Sequence, residues 1–214
     1  IQSIGLMAFG TKRVRKVEKI VGPGNAFVTA AKRQVYGYVG IDQVAGPSEI
    51  AVLADRSVPA AWVAADLLSQ AEHGSGYERA LLATDSAAFA EAVKAEMLAQ
   101  TATRSRKALI QRVLDRGGAL IVVVPSLAEG LELVNRFAPE HFELLCKGAE
   151  KLRRGVRAAG AVFVGPWTPE PAGDYGAGPS HVLPTGGAAR MCNGLTADDF
   201  RRRHSYIAFT RADL

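Results

Sequence analysis

Short runs of apolar and β-branched residues alternate with segments of helical periodicity along most of the chain. The apolar runs predict strands, and the segments with apolar residues at every third or fourth position predict helices. Strands are predicted at 19–21, 49–54, 80–84, 120–124, 142–145 and 161–164, and helices at 26–35, 59–72, 87–98, 104–115, 127–137 and 149–159. This alternation predicts an α/β fold built from βαβ units around a mostly parallel sheet.

One internal segment and both ends of the chain depart from this pattern. From Pro166 to about Arg190 the chain is rich in Gly, Pro and Thr, which predicts a long irregular segment of the kind that usually carries function. The apolar run that starts at Ile4 has no helix cap ahead of it, and the chain stops at Leu214 without a closing element. We therefore expect a portion of a longer protein.

Composition and charge exclude several classes of protein. With 214 residues, of which 48% are hydrophobic and 22% charged, the chain is typical of a globular domain. Its longest apolar run, 119–125, is far shorter than the about 20 residues that cross a bilayer, so we expect no membrane segment. Two cysteines without C-x-x-C spacing indicate a reducing compartment, and we expect a cytoplasmic protein. The net charge of +5 comes from small clusters without a recognition motif, so we expect no nucleic-acid partner.

Three of the four histidines stand beside acids, amides or glycines. The first, His73, follows Gln70 by three positions near the end of a predicted helix, so the two side chains share one helical face. An amide oxygen and an imidazole nitrogen together suit a divalent metal of zinc type. The alternative is a histidine favoured by the carboxyl end of the helix dipole, with Gln70 solvated.

The other two histidines occur at predicted irregular positions. Glu140 and His141 stand where a helix, interrupted by proline, enters a strand, and they offer two proton acceptors near neutral pH. An ordinary turn is the alternative. Asp174 and His181 supply an oxygen ligand and an imidazole among glycines that let the backbone approach a ligand, and a solvated loop is the alternative. Each signal is weak alone, but three of them in one short chain favour a functional site.

Two turns that contain glycine and proline, 22–25 and 45–49, adjoin predicted strands. Free N–H groups in such turns can face a phosphate or a carboxylate. Neither turn matches the dinucleotide-binding fingerprint or a P-loop, so periodicity alone predicts turns there.

Longer motifs identify a family. The chain resembles the histidinol dehydrogenases in five stretches, which occur in the family's order: GPGNAFVTAAKRQV, AGPSEIAVLAD, VAADLLSQAEHG, APEHFELL and PEPAGDYGAGPSHVLPTGG. The resemblance implies a Rossmann-like parallel-sheet fold, incomplete relative to the whole family fold. It also implies the NAD-dependent oxidation of L-histidinol to L-histidine through L-histidinal, a step of histidine biosynthesis, with zinc positioning the substrate.

The resemblance assigns roles to individual residues. Glu140 and His141 match the family's paired acid/base residues, and Gln70, His73 and Asp174 match three of its zinc ligands, which together with His141 also contact substrate. Ser48 and His181 match further substrate contacts, and Gln2 and Asn25 match contacts to NAD. By the same resemblance, 1–48 is the last part of an NAD-side domain, 49–195 a zinc- and substrate-side domain, and 196–214 the start of a C-terminal region.

The chain also departs from the family pattern. The fourth zinc ligand, a histidine, and a substrate-binding glutamate belong to a C-terminal region that this chain lacks, and about half of the family's length precedes Ile1, including a tyrosine that contacts the cofactor. The resemblance implies a homodimer whose sites are completed by the partner subunit's C-terminal region. We therefore expect the isolated chain to be inactive. Ser180 stands where the family more often has Asn.

Two other functions remain open from the sequence. The chain could belong to a related zinc- and NAD-dependent dehydrogenase that acts on another polar alcohol, because fold and motifs can be shared while the substrate pocket differs. It could also be catalytically silent and bind only a metal or a partner. Neither cysteine is placed for covalent catalysis.

Overall fold

The computed structural model describes residues 1–214, and the first 48 of them form a small unit of two helices and two strands. Its parallel pair of strands is short, and the helices cover it around a core of Ile4, Ala8, Ile20, Val35 and Val39. The elements are α1 (Gln2–Phe9), β1 (Lys19–Ile20), α2 (Ala26–Val35) and β2 (Gly40–Ile41).

The larger unit is a five-stranded parallel sheet. Its strand order is β5-β4-β3-β6-β7, so the chain adds strands on one side of β3 and then returns to add two on the other. The strands are β3 (Glu49–Ala54), β4 (Arg79–Thr84), β5 (Ala119–Val123), β6 (His141–Leu145) and β7 (Ala161–Val164). The connecting helices are α3 (Ala60–Ala71), α4 (Ala87–Thr103), α5 (Lys107–Asp115), α6 (Leu127–Phe137) and α7 (Ala149–Leu152). The predicted α/β fold with a parallel sheet is confirmed.

Helices cover both faces of this sheet, which explains why its central strand is apolar throughout. All six residues of β3 are buried. Ile50 and Val52 pack with α3, α4 and α5 on one face, whereas Ala51 and Leu53 pack with α6 and α7 on the other. A strand buried on two faces cannot alternate between apolar and polar residues, and β3 accordingly appears in the sequence as a continuous hydrophobic run.

Several predicted boundaries are wrong. The helix predicted at 149–159 ends at Leu152 and continues only as a 3₁₀ turn, Arg153–Gly155. The side chain of Asn135 explains this end, because it donates to the Gly155 carbonyl (3.0 Å) and accepts from the Arg157 N–H (2.8 Å), so those groups are unavailable to a longer helix. The helix predicted to end at 98 extends to Thr103, and β2 was not predicted because two residues are too few to show a period.

The segment after Pro166 is irregular, as predicted, with one exception. A short helix, α8 (Pro171–Tyr175), begins with proline at its first position, and further 3₁₀ turns follow at Ala188–Arg190, Ala197–Phe200 and Arg211–Asp213. Residues 201–214 are all exposed. None of the helices is long and apolar enough to span a membrane.

Parallel strands place their amino ends at one edge of the sheet, here called the amino edge and defined by Ser48, Glu49, Glu140 and His141. Helix α3 returns antiparallel to the strands that it connects, so its last turn reaches the same edge and carries Gln70. The opposite edge, here called the carboxyl edge, is defined by Asp55, Ser86, Ser126 and Lys147.

Candidate active site

The amino edge contains a cavity of about 340 Å³ into which most of the predicted site residues project. The pairing of β3 with β6 matches Ile50 to His141, so Ser48 and Glu140, just ahead of the two strands, become neighbours. Helix α8 contributes Asp174, and the segment that follows it contributes His181. The predicted residues that line the cavity are Ser48, His73, Glu140, His141, Asp174 and His181.

An unusual backbone conformation turns the chain into this site. Helix α6 ends at Ala138, which has a φ of 55° and is the one residue other than glycine with a positive φ. This left-handed conformation is usual for glycine at a helix end and costs an alanine of order 1 kcal/mol. The turn redirects the chain through Pro139, so that Glu140 and His141 enter β6 facing the cavity.

Hydrogen bonds between side chains and the backbone join the loop beyond His181 to the start of β3 and the segment ahead of it. The Gln43 amide donates to the Leu183 carbonyl (2.6 Å), and the Gly186 N–H donates to the Glu49 carboxylate (3.1 Å). Gly46 N–H also donates to the Thr185 hydroxyl. These contacts fix the loop across the cavity mouth, which explains how a residue from an irregular segment lies near the ends of two strands.

Glu140 is held by two hydrogen-bonding groups in a desolvated position. Its Oε2 accepts from the Glu49 N–H (3.1 Å) and lies beside the Ser48 hydroxyl, which also lies 2.6 Å from Gln70 Oε1. One hydroxyl proton cannot serve two acceptors, so these contacts are all satisfied when Glu140 itself carries a proton. Burial raises the pKa of Glu140 to about 7, against the lowering effect of Ser48, so the protonated form is accessible at neutral pH.

His141 has a single tautomer fixed by the backbone. Its Nδ1 lies 3.1 Å from the Glu49 carbonyl oxygen, which can only accept, so Nδ1 carries the proton and Nε2 carries the lone pair. Burial lowers the pKa of His141 to about 4, and the ring is therefore neutral at pH 7. Such a ring can accept a proton at Nε2 without first losing one.

Glu170 is a site residue that the sequence analysis missed. It precedes α8, is only 4% exposed, and places Oε1 3.4 Å from His141 Nε2. Burial and the charge of Asp174 raise its pKa to about 7. The sequence contains one signal for it: Pro171 is a favoured first residue of a helix, and a helix there puts Glu170 and Asp174 four residues apart on one face.

Ligand groups for a cation are present at this edge. The side chains of His141, Glu170 and Asp174 offer ligand atoms within 4.8 Å of one another, a set that does not include His73. Gln70 is completely buried, and its Nε2 has no hydrogen-bond partner while its Oε1 faces Ser48. Only the Oε1 atom of the Gln70 amide can bind a cation, because Nε2 can only donate, and an amide oxygen together with imidazole and carboxylate ligands suits a zinc-type ion.

The two residues predicted to contact NAD do not line the cavity. Gln2 and Asn25 are both exposed, and Asn25 caps α2 by accepting from the N–H groups of Phe27 and Val28, each at 3.1 Å. Pro23, in the same turn, does line the cavity. The turn at 22–25 therefore borders the site, and the NAD contacts of Gln2 and Asn25 stay a prediction.

Comparison with known proteins identifies the family. The family model described as histidinol dehydrogenase matches residues 1–214. The chain belongs to the histidinol dehydrogenase family. It is 48% identical over 213 residues to the histidinol dehydrogenase of Bacillus cereus and 44% identical over 211 residues to that of Bacillus subtilis, covering 49% of each. A crystal structure of the enzyme from Elizabethkingia anophelis matches with a TM-score of 0.88 and 39% identity, over 92% of this chain and 45% of that one.

The chain spans about half the length of these relatives.

Proposed function

We propose that this chain forms one part of an enzyme that oxidises L-histidinol to L-histidine through L-histidinal, with two molecules of NAD. One observation carries the proposal: the buried, neutral His141 lines the cavity with an unprotonated Nε2, and Glu140, a second proton-transferring group, lines the same cavity. An alcohol oxidation needs such a base, and the family's sequence motifs indicate that the alcohol is histidinol.

In the first step, His141 accepts the proton of the substrate hydroxyl at Nε2. The Glu49 carbonyl keeps the other ring nitrogen protonated, so the ring has one acceptor atom and a fixed orientation. NAD, when bound, takes up the hydride in each of the two oxidations. The protein contributes the alignment of the substrate hydroxyl with Nε2. This alignment also orients the carbon that bears the hydroxyl, from which the hydride leaves.

The second oxidation needs water to add to the aldehyde, and Glu140 suits this step. With a pKa of about 7, its carboxyl group can take a proton from the water and release it again at neutral pH. Ser48 orients Glu140 by lying within hydrogen-bond distance of Oε2. The division of labour assigns His141 to both oxidations and Glu140 mainly to the aldehyde.

Binding of the substrate and the cation involves the remaining residues of the cavity. Gln70, His73 and Asp174 would hold a zinc ion, which would orient the amine and imidazole of the substrate. Ser48 and His181 would contact the substrate, and Gln2 and Asn25 would contact NAD. We assign 1–48 to an NAD-side domain, 49–195 to the zinc- and substrate-side domain, and 196–214 to the start of a C-terminal region, in a homodimer.

The test is a hybrid enzyme in which this chain replaces the aligned half of the Bacillus cereus relative. The hybrid should restore growth of a histidine auxotroph that lacks histidinol dehydrogenase and should form NADH from both histidinol and histidinal. Oxidation of other polar amino alcohols without rescue would instead indicate a different substrate.

The 214-residue chain alone should form no NADH from histidinol and NAD with added zinc, because it carries three of the four metal ligands expected for the family. Exposed apolar surface also favours its association with itself. Light scattering alongside the NADH assay checks both points, and clear turnover by a 22.7 kDa monomer would contradict them.

A further inference from the structure

Behind the cavity lies a buried carboxyl group that the proposed reaction does not use. Glu143 stands two residues after His141 on β6 and is completely buried. Its neighbours in the adjacent strands are Val52 and Phe163, and every other residue of β6 beyond His141 is apolar. A carboxyl group in the middle of a buried strand costs several kcal/mol unless it makes compensating contacts, so its contacts indicate why it is there.

The contacts of Glu143 lead back to the site. Oε1 accepts a hydrogen bond of 2.9 Å from the backbone N–H of Glu170, and Oε2 has no hydrogen-bond partner. The Asp66 carboxyl of α3 lies beside it, and burial together with the Asp66 charge raises the pKa of Glu143 well above its ordinary value. Burial also raises the pKa of Asp66 to about 6. A proton shared between the two groups removes their repulsion and leaves Oε1 free to accept from Glu170.

Glu170 is thereby fixed at both its backbone and its side chain. Its backbone is bound to Glu143 on a rigid central strand, and its Oε2 lies 3.3 Å from the Ser69 hydroxyl at the end of α3. Its Oε1 then lies 3.4 Å from His141 Nε2. Since α8 is a short helix in an irregular segment, the bond to Glu143 is the contact that joins Glu170 to the sheet.

We propose that Glu143 is a positioning residue: by binding the backbone of Glu170 it sets the Glu170 carboxyl against Nε2 of His141 and so orients the ring. This inference rests on the proposed role of His141 as the base. A carboxyl placed next to Nε2 limits rotation of the ring, and its negative charge stabilises the imidazolium that forms when Nε2 takes a proton. Groups that orient a reactive side chain in this way typically contribute tenfold or more to its function.

Three variants of the hybrid separate positioning from folding. Glu143→Gln keeps an acceptor for the Glu170 N–H, with an amide that can donate to Asp66, and should stay within about threefold of the wild-type kcat. Glu143→Met removes the acceptor and should lower kcat tenfold or more, with KM for histidinol and NAD nearly unchanged. Asn135→Leu is the matched control, because Asn135 is also buried and binds two backbone groups, but away from the cavity. It should lose thermal stability and keep kcat.

A readout independent of turnover comes from ¹⁵N NMR of the histidine rings in the 214-residue chain, which contains only four histidines. Glu143→Met should shift the Nε2 resonance of His141, whereas Glu143→Gln and Asn135→Leu should leave it in place. This measurement supports or refutes the positioning role even if the hybrid does not oxidise histidinol. An unshifted resonance in Glu143→Met, or equal loss of kcat in Glu143→Gln and Glu143→Met, would overturn the proposal.

If Glu143→Met does not fold, Glu170→Gln decides the matter. That variant alters the group beside Nε2 and leaves the backbone bond to Glu143 intact, so it should lower kcat tenfold or more and shift the same resonance. Full kcat in Glu170→Gln would show that the orientation of Glu170 has no bearing on the reaction, and the role of Glu143 would be structural only.

Discussion

The pKa values of acidic residues shift in opposite directions at the two edges of the five-stranded sheet. At the carboxyl edge, Asp55 follows β3 and accepts from the N–H groups of Ser57 and Lys147, each at 2.9 Å. Partial burial alone would raise the pKa of Asp55, but these hydrogen bonds and that of the Ser57 hydroxyl outweigh it and lower the pKa. At the amino edge, Glu140 is more deeply buried, and its pKa rises to about 7.

This difference supports the amino edge as the candidate active site. In open parallel sheets, ligands usually bind outside the carboxyl ends of the strands. Here the carboxyl edge carries caps that satisfy their own backbone, such as Ser86 on α4 and Ser126 on α6. The amino edge instead carries Glu140, His141 and Glu170, in which burial outweighs the hydrogen bonds that they make and shifts each pKa toward the neutral form. Unfavourable burial of titratable groups is tolerated where they serve chemistry.

Removal of the proposed base at the amino edge should cause the largest loss of activity. His141→Asn in the hybrid should slow oxidation of both histidinol and histidinal by about a hundredfold or more, since it removes the unprotonated ring nitrogen that accepts the substrate proton. Glu140→Gln should slow oxidation of histidinal more than that of histidinol. Steady-state rates on the two substrates check this, with Asp55→Asn as the control from the other edge. Small and equal effects of both substitutions would contradict the division of labour.

The sequence predicted the elements of this fold better than their arrangement. Period and composition predicted β3, α6 and β6 because each is governed by local burial on one or two faces. The proximity of Ser48 to Glu140 depends instead on the register of β3 against β6, which links residues 92 positions apart. That pairing is a tertiary event, and no local pattern encodes it.

The same limit explains the site residues that were missed. Glu170 lies in a proline-rich stretch that predicts irregular structure, and it becomes a site residue only through α8 and its bond to Glu143. In the sequence, Glu143 is a single charged residue in a predicted strand, and a charged residue in a strand is ordinarily expected to face solvent. Only the crossover that returns the chain beyond β3 gives β6 a strand on each side and buries this position.

The raised pKa of Glu140 predicts a stability that depends on pH. The folded state holds this proton more tightly than the unfolded chain, whose carboxyl titrates near 4.5. The contribution to stability is therefore fully present below pH 4.5 and is lost as the pH rises through about 7, by roughly 3 kcal/mol at most. The free energy of unfolding of the 214-residue chain can be measured in urea at pH 4 and pH 8. Glu140→Gln should reduce the difference between the two values by this amount. An unchanged difference between the two pH values would refute the assigned burial.

The zinc content of a His73 variant tests the proposed metal site at the amino edge. His73→Ala in the hybrid should lower the zinc content at least tenfold, because His73 is the imidazole of the proposed ligand set. His204→Ala is the matched control, since His204 is exposed and does not line the cavity. Metal analysis after dialysis measures both. A zinc content equal to wild type in the His73 variant would move the site to His141, Glu170 and Asp174, the compact set at the same edge.

The smallest expected effect lies at the carboxyl edge and has the opposite sign. The lowered pKa of Asp55 means that the folded state prefers its carboxylate, so its contribution to stability is present above the ordinary pKa near 3.8 and is lost as the pH falls through the lower folded value. Asp55→Asn should cost about 1 kcal/mol at pH 7, because solvent weakens these partly exposed hydrogen bonds, and almost nothing at pH 2. Unfolding of the variant at the two pH values checks the sign. Activity of the hybrid should not change, and a large loss of kcat in Asp55→Asn would show that the carboxyl edge also takes part in the reaction.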